Sequence, residues 1–295
     1  MSFERPARRP AGGALLVLLL AAAAAGAADV VTLPADPPAV RTASLQELWR
    51  IGGEDDVDVL LGLVGGGARD DAGNTYLLDR QLSEVLVIAP DGEQLTTLGR
   101  EGDGPGEFRR ANTLFMTPTG VGVVQGFPGK VVLINHDGTP GGEIGGGDAQ
   151  EGGFRFIREL RCDGEHLVCQ SGRATFDREA GRSEDTTSLL VMDLDGERLA
   201  EFAPHTTTRN FQKIVFDEEA QFAEHNAWTL SADGRLYSLG ARDEYRINVR
   251  DIQGNLVQVI ERPFTTRTRD QEDKDRLTDG MRFVINGQLQ EVENK

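Results

Sequence analysis

Cysteine, histidine and positive charge are all scarce in this chain. Two cysteines, four histidines and 31 basic side chains stand against 48 acids in 295 residues, a formal charge of -17. A duplex nucleic-acid binder needs a basic stripe to displace phosphate counterions, so that class is excluded. Docking on an anionic membrane surface is excluded for the same reason of sign. No H-E-x-x-H, G-x-S-x-G or S-x-x-K occurs, and no two of His136, His166, His205 and His225 stand at zinc-pair spacing. The usual signatures of zinc and serine hydrolysis are therefore missing. After residue 25 there is no long apolar run. Disorder does not follow from these shortages, because hydrophobic residues still make up 39% of the chain in short runs that can build a core.

The first 28 residues read as an export signal. Arg5, Arg8 and Arg9 form a positive head, residues 14–25 an apolar core, and Ala25, Gly26, Ala27 and Ala28 a small-residue exit. The apolar core is about a dozen residues, well short of the ~20 that span a bilayer. Cleavage of the A-x-A type fits after Ala27 or Ala28, and no cysteine lies near the exit to carry a lipid. Residues 1–28 hold one acid, Glu4, and three arginines. The remaining 267 residues thus carry 47 acids and 28 bases, a charge of -19. The expectation is an exported, periplasmic or extracellular monomer with no membrane anchor after cleavage.

What the chain has in excess is glycine, 36 residues, and much of it falls in a repeating order. A short β-rich run, a second such run and an Asp-Gly type turn recur. The first copy is GNTYLLD (73–79), EVLVI (84–88) and the turn at Asp91-Gly92. The second is GVGVV (120–124), KVVLI (130–134) and Asp137-Gly138. The third is DGEHLVC (163–169), SLLVM (188–192) and Asp195-Gly196. The fourth is DGRLYS (233–238), YRINV (245–249) and Gln253-Gly254. The closing glycines are 46, 58 and 58 residues apart. Asp-Gly permits the positive φ angles of a tight hairpin, and the flanking Val, Ile, Leu and Tyr suit a pleated, half-buried surface. Multi-stranded units at about this period are the mark of propeller blades rather than of a β-sandwich. The fold class expected is all-β, a β-propeller.

The residues YLLD (76–79), VLVI (85–88), Asp91-Gly92 and GREGDGPGEF (99–108) resemble the secreted bacterial six-bladed β-propellers related to NHL-repeat proteins. The resemblance covers about residues 49–263. It implies a GPGEF connector between blades, with Phe108 packed into the next one. Only four units are clear, so the ring is expected to be of the six-bladed type but incomplete, with four to five blades. The division expected is a signal peptide (1–28), a proline-bearing linker (29–43), the blades (44–266) and a charged C-terminal segment (267–295). That last segment reads either as a helix with Leu277, Met281 and Ile285 on one face or as a hairpin turning at Asn286-Gly287.

Several local patterns bear on chemistry. The glycines of residues 102–106 do not make a phosphate cradle, because Pro105 removes an N–H donor and Glu107 adds negative charge. Asp193-Leu194-Asp195-Gly196 opens like a calcium loop, but the bidentate twelfth-position Glu is replaced by Pro204, so a hairpin turn is expected. Glu54, Asp55, Asp56 and Asp58 are a solvated charge run that can at most bind a divalent cation weakly. His225, near Trp228, is the candidate among the histidines, with a structural role as the ordinary reading for a lone imidazole. Cys162 and Cys169 form the one candidate disulfide, which export favours and a two-residue Asp163-Gly164 turn pairing Cys162 with Glu165 opposes. No catalytic, cofactor-binding or metal residue is assigned. The function expected is a non-enzymatic binding or protein-interaction scaffold. It would meet a protein or small ligand at one end of the propeller, and the charge points to a cationic partner. The alternative is a divalent-metal-dependent hydrolase similar to the lactonase-like six-bladed propellers.

Overall fold

The computed structural model describes residues 28–295 except 37, 54–58, 128, 146–153, 212–213, 279–282, 286–287, 291 and 295. The expected signal peptide up to Ala27 and the Glu54, Asp55, Asp56 and Asp58 cluster lie outside the described residues.

In chain order, β1 (Asp29–Thr32) precedes a sheet of β2 (Val64–Arg69), β3 (Thr75–Asp79), β4 (Glu84–Ile88) and β5 (Gln94–Leu98). A second sheet holds β6 (Ala111–Thr117), β7 (Gly120–Gln125), β8 (Lys130–Asn135) and β9 (Pro140–Gly145). A third holds β10 (Phe154–Cys162), β11 (His166–Asp177), β12 (Arg182–Asp193) and β13 (Arg198–Asn210). After β14 (Ile214–Phe216), α1 (Glu218–Gln221) and a 3-10 turn (Glu224–Asn226) comes a fourth sheet. Its strands are β15 (Trp228–Leu230), β16 (Leu236–Leu239), β17 (Tyr245–Arg250) and β18 (Leu256–Arg262). The chain closes with α2 (Gln271–Thr278), β19 (Phe283–Ile285), β20 (Gln288–Gln290) and β21 (Val292–Asn294). It is nearly all β, and each of the four sheets contains an antiparallel meander of four strands in sequence order.

The sheets pack through their first strands, β2 beside β6, β6 beside β10 and β10 beside β15. Three apolar clusters fill the spaces between them. Tyr76, Leu78, Val85 and Leu98 meet Val121, Val123, Val132 and Ile134 between the first and second sheets. Val124, Val131 and Ile144 meet Leu160, Leu167 and Cys169 between the second and third. Val168, Leu189 and Val191 meet Trp228 and Leu236 between the third and fourth. A strand held between two such clusters needs apolar residues on both faces, which is why all six residues of β7 are buried. Phe108 is completely buried in the first of these clusters, so the connector places its ring between two sheets.

The repeating Asp-Gly turn closes a loop longer than two residues. Gly92 donates to Ala89 O, and Ala89 and Glu93 close the loop. The same pair of bonds recurs at Asn135–Thr139, Asp193–Glu197 and Asp251–Asn255. These are three-residue loops in which only the glycine takes positive φ, 95° at Gly92 and 87° at Gly196. A register shift follows on each flanking strand pair, at Val87/Ile88, Leu133/Ile134, Val191/Met192 and Val249/Arg250. A type I turn followed by a left-handed glycine makes a bulged hairpin of this kind. The Asp193 carboxylate accepts from the N–H groups of Asp195 and Glu197, which is the work of a turn residue rather than a calcium ligand.

Three differences from the sequence reading concern the ends and the cysteines. Residues 29–32, expected within the linker, form β1, which pairs in parallel with the outer edge of β18, Val30 opposite Val259 and Val31 opposite Ile260. The C-terminal segment contains both proposed elements, since α2 ends at Thr278 and β19 pairs with β20. Ile285 therefore lies in a strand and off the helix. The turn between β10 and β11 pairs Asp163 with His166, so Cys162 faces Leu167 and Cys169 faces Leu160. The cysteines are diagonal neighbours and both are free thiols.

Candidate functional site

A cluster of buried polar side chains lies where the third sheet meets the fourth, on the short segment between β14 and β15. Asp217 caps α1 by accepting from Ala220 N, and Asn226 N donates to Ala223 O to close the 3-10 turn. That turn points Glu224 and His225 inward.

His225 is 1% exposed. Its Nδ1–H donates to the Ala203 carbonyl at 3.1 Å, and the Thr187 hydroxyl donates to Nε2 at 2.7 Å. Ala203 is one of three described non-glycine residues at positive φ, 52°, where the β12–β13 register slips between Thr187 and Leu189. The strained backbone thus coincides with the carbonyl that orients the imidazole. Burial pulls the His225 pKa below its ordinary value, with the nearby His205 and Arg158 adding in the same direction. His205 donates from Nε2 to Ala220 O at 2.9 Å and stands edge-on to His225, ring centroids 6.4 Å apart.

Glu224 takes a bidentate pair from Arg250, Nε to Oε1 at 2.8 Å and Nη2 to Oε2 at 3.0 Å. Ser238 adds a third bond to Oε1 at 2.7 Å. Burial alone would raise the Glu224 carboxyl, but these hydrogen bonds outweigh it and hold the pKa below the ordinary value. Arg250 also donates to Gly254 O and lies over the Phe202 ring, so one guanidinium ties both sheets to the turn.

Thr187 and His225 have the hydroxyl–imidazole contact of a nucleophile and its base, with a backbone carbonyl where a carboxylate would orient the ring. Two observations set that chemistry aside. Thr187 is only 7% exposed, and both imidazole nitrogens already have protein partners. The other histidines are also engaged. His136 Nδ1 is 2.9 Å from the Tyr76 hydroxyl, which donates to Asp70, and His166 Nδ1 is 3.2 Å from Asp163. Among the described residues, no three His, Cys, Asp or Glu side chains converge as a metal site. Glu107 closes the supposed phosphate loop on itself by accepting from Gly104 N and from Arg100.

A second, open site lies at the far end of the third sheet, whose strands β11, β12 and β13 run 12, 12 and 13 residues against 5 to 7 in the first two. The register aligns Thr175, Glu184 and Thr208 across one face of this extension, and Asp177, Arg182 and Asn210 beside them. All of these but Asn210, together with Phe176 and Ser183, line a depression of about 320 Å³. Phe176 also stacks on Phe211, centroids 6.5 Å apart and planes 12° from parallel, with both rings partly exposed. Sequence reasoning passed over this extension, because charged and hydroxyl residues interrupt the apolar runs that marked strands elsewhere. Glu224, Arg250 and Thr187 were missed too, since nothing local marks residues brought together from three elements.

No protein-family model matches the chain, and no curated protein matches it in sequence. Among solved structures it is similar to a Bacteroides fragilis protein described as exported, at 13% identity and a TM-score of 0.49, over 85% of this chain and 65% of that one. A Lactobacillus plantarum protein matches at 13% identity and a TM-score of 0.38, over 68% and 56%. A virginiamycin B lyase from Staphylococcus aureus matches at 12% identity and a TM-score of 0.34, over 68% and 70%. The chain spans less than two thirds of the length of the first two. Among the described residues, no helix is long and apolar enough to cross a membrane.

Proposed function

We propose that this chain is an exported, non-enzymatic scaffold of the propeller type, an incomplete ring that binds a partner through the projecting end of its third sheet. The observation that carries this reading is a contrast between two places. At the His225 cluster the polar atoms are engaged inside the protein, whereas the β11–β13 extension presents a stacked aromatic pair and a polar depression to solvent. Exposed aromatic anchors on a rigid sheet are what binding hot spots use. The partner is a basic protein surface, drawn by the -19 charge of the mature chain. The export reading of residues 1–28 supports a meeting in the periplasm or outside the cell.

The test is binding of the purified exported protein to an immobilised basic protein, compared with the Phe176→Ser/Phe211→Ser variant. Saturable binding that weakens with salt and falls at least tenfold in the variant supports the reading. Equal binding by the variant removes the extension from it. Stoichiometric bound metal together with turnover of lactones or esters would replace the scaffold by the hydrolase.

A further inference from the structure

The junction read as the signal cleavage site and the first strand of the fold coincide. Cleavage fits after Ala27 or Ala28, and β1 begins at Asp29. At most one residue then precedes the strand in the mature protein. β1 is a fifth strand, added in parallel to the outer edge of a sheet that already has its four. Leu33 N donates to Glu261 O as the strand ends, and the Gln258 amide reaches the Asp29 carboxylate at 3.4 Å. The strand buries little else, for Asp29, Val30 and Thr32 remain exposed. Its hold is mainly backbone hydrogen bonding, and without it β18 presents an unpaired edge.

From this we infer that export processing and the closing of the β18 edge are coupled, so that a precursor whose signal is still held in the membrane keeps β1 off that edge. The inference rests on the export reading given above. Three residues, Gly26, Ala27 and Ala28, separate the apolar core from β1. At about 3.4 Å per residue they span about 10 Å. While the apolar core is held in a bilayer, β1 can pair with β18 only if the fourth sheet lies against the lipid headgroups. A chain of charge -19 is repelled from an anionic surface, and the charge-free spacer supplies no slack. Hydrolysis of the peptide bond before Asp29 (or before Ala28) by an export peptidase consumes one water. It leaves a carboxylate on the signal and an ammonium on the mature chain. The strand is then free to move onto the edge, held close by the 31 residues that join it to β2.

Intact mass of the exported protein comes first. A chain beginning at residue 28 or 29 is expected. An uncleaved chain, or one cut elsewhere, overturns the export reading itself and with it this inference. Amide hydrogen exchange over residues 258–261 then separates the coupling from that reading. The mature protein, a variant lacking residues 29–33, and a cleavage-blocked Ala27→Arg/Ala28→Arg precursor in anionic vesicles are compared. Exchange in β7 serves as the control that all three are folded. Protection in the mature protein, with at least tenfold faster exchange in both variants, supports the coupling. A precursor as protected as the mature chain overturns it, as does a deletion variant that keeps full protection.

Discussion

Trp49 packs over Gly92, its Cβ standing 2.8 Å from where a methyl on that glycine would lie. The same relation joins Leu98 to Gly138, Ile144 to Gly196 and Phe202 to Gly254. In those three cases the apolar residue belongs to the last strand of the preceding sheet, six positions after that sheet's own turn glycine. Trp49 thus fills, in front of the first sheet, the place that an outer strand fills before each of the others. The fourth sheet has Ile260 at the corresponding position, opposite Val31 of β1. The N-terminal residues therefore touch both ends of the row of sheets.

Replacing Trp49 by Ala removes that cover. The side chain is only half-buried, so a loss of about 2 kcal/mol is expected, below the 3–5 typical of a fully buried Trp. Urea unfolding checks this, and an unchanged midpoint would show that the cover carries no stability.

The Glu224–Arg250 pair is four-fifths buried, its side chains 18% and 19% exposed. Glu224→Gln or Arg250→Met leaves one charge unpaired at the junction and is expected to cost about 2–3 kcal/mol, at or below the ~3–5 of a fully buried broken pair because this one is partly exposed. The double variant should recover part of that loss. Additive losses in a double-mutant cycle would mean the two do not interact.

Acid should weaken the same junction. His225 has a folded pKa below its ordinary value, so the unfolded chain takes up the proton first, near pH 6.5. Its contribution is complete above that pH and is lost as pH falls toward the folded value. Glu224, also lowered, contributes above the ordinary carboxylate range and loses that contribution as pH falls through its folded value. Stability measured between pH 4 and pH 8 should decline toward acid, and His225→Gln should flatten the upper part of the curve.

The cysteines give a sharper chemical outcome. Burial pushes the Cys169 thiol up to about 12 and raises Cys162 as well, although a hydrogen bond from Gly164 N to the Cys162 sulfur partly offsets this. Diagonal cross-strand positions lie ~7–8 Å apart, beyond the usual disulfide span. Two thiols should titrate in the unreduced, denatured protein, and Cys169 should resist alkylation in the native one at pH 8. A single mass two units lower, with no titratable thiol, would mean a bridge.

The second and third strands of each meander are legible in the sequence and the first is not. TYLLD, EVLVI, KVVLI and YRINV announce themselves because a strand between two apolar clusters needs Val, Ile, Leu and Tyr. The first strands read VGGGAR, ANTLFMT, FRFIRELRC and WTL, which share no pattern. They are strands because a neighbour in their own sheet and another sheet's first strand hold them there. The His225 site is hidden for a related reason, since Thr187, Ala203, Glu224 and Arg250 come from β12, β13, the 3-10 turn and β17.

The sequence by itself determined the all-β class, the spacing of the turn glycines and the reading of residues 1–28 as an export signal. Each follows from local physics, such as the bulk of a β-branched side chain, the left-handed φ open to glycine, or the length of an apolar run. Only the tertiary structure decided that β1 covers β18, that Trp49 stands in for an outer strand, and that the third sheet projects beyond its neighbours. Those are contacts between residues far apart in the chain, and they depend on which edges and faces the folded sheets leave uncovered.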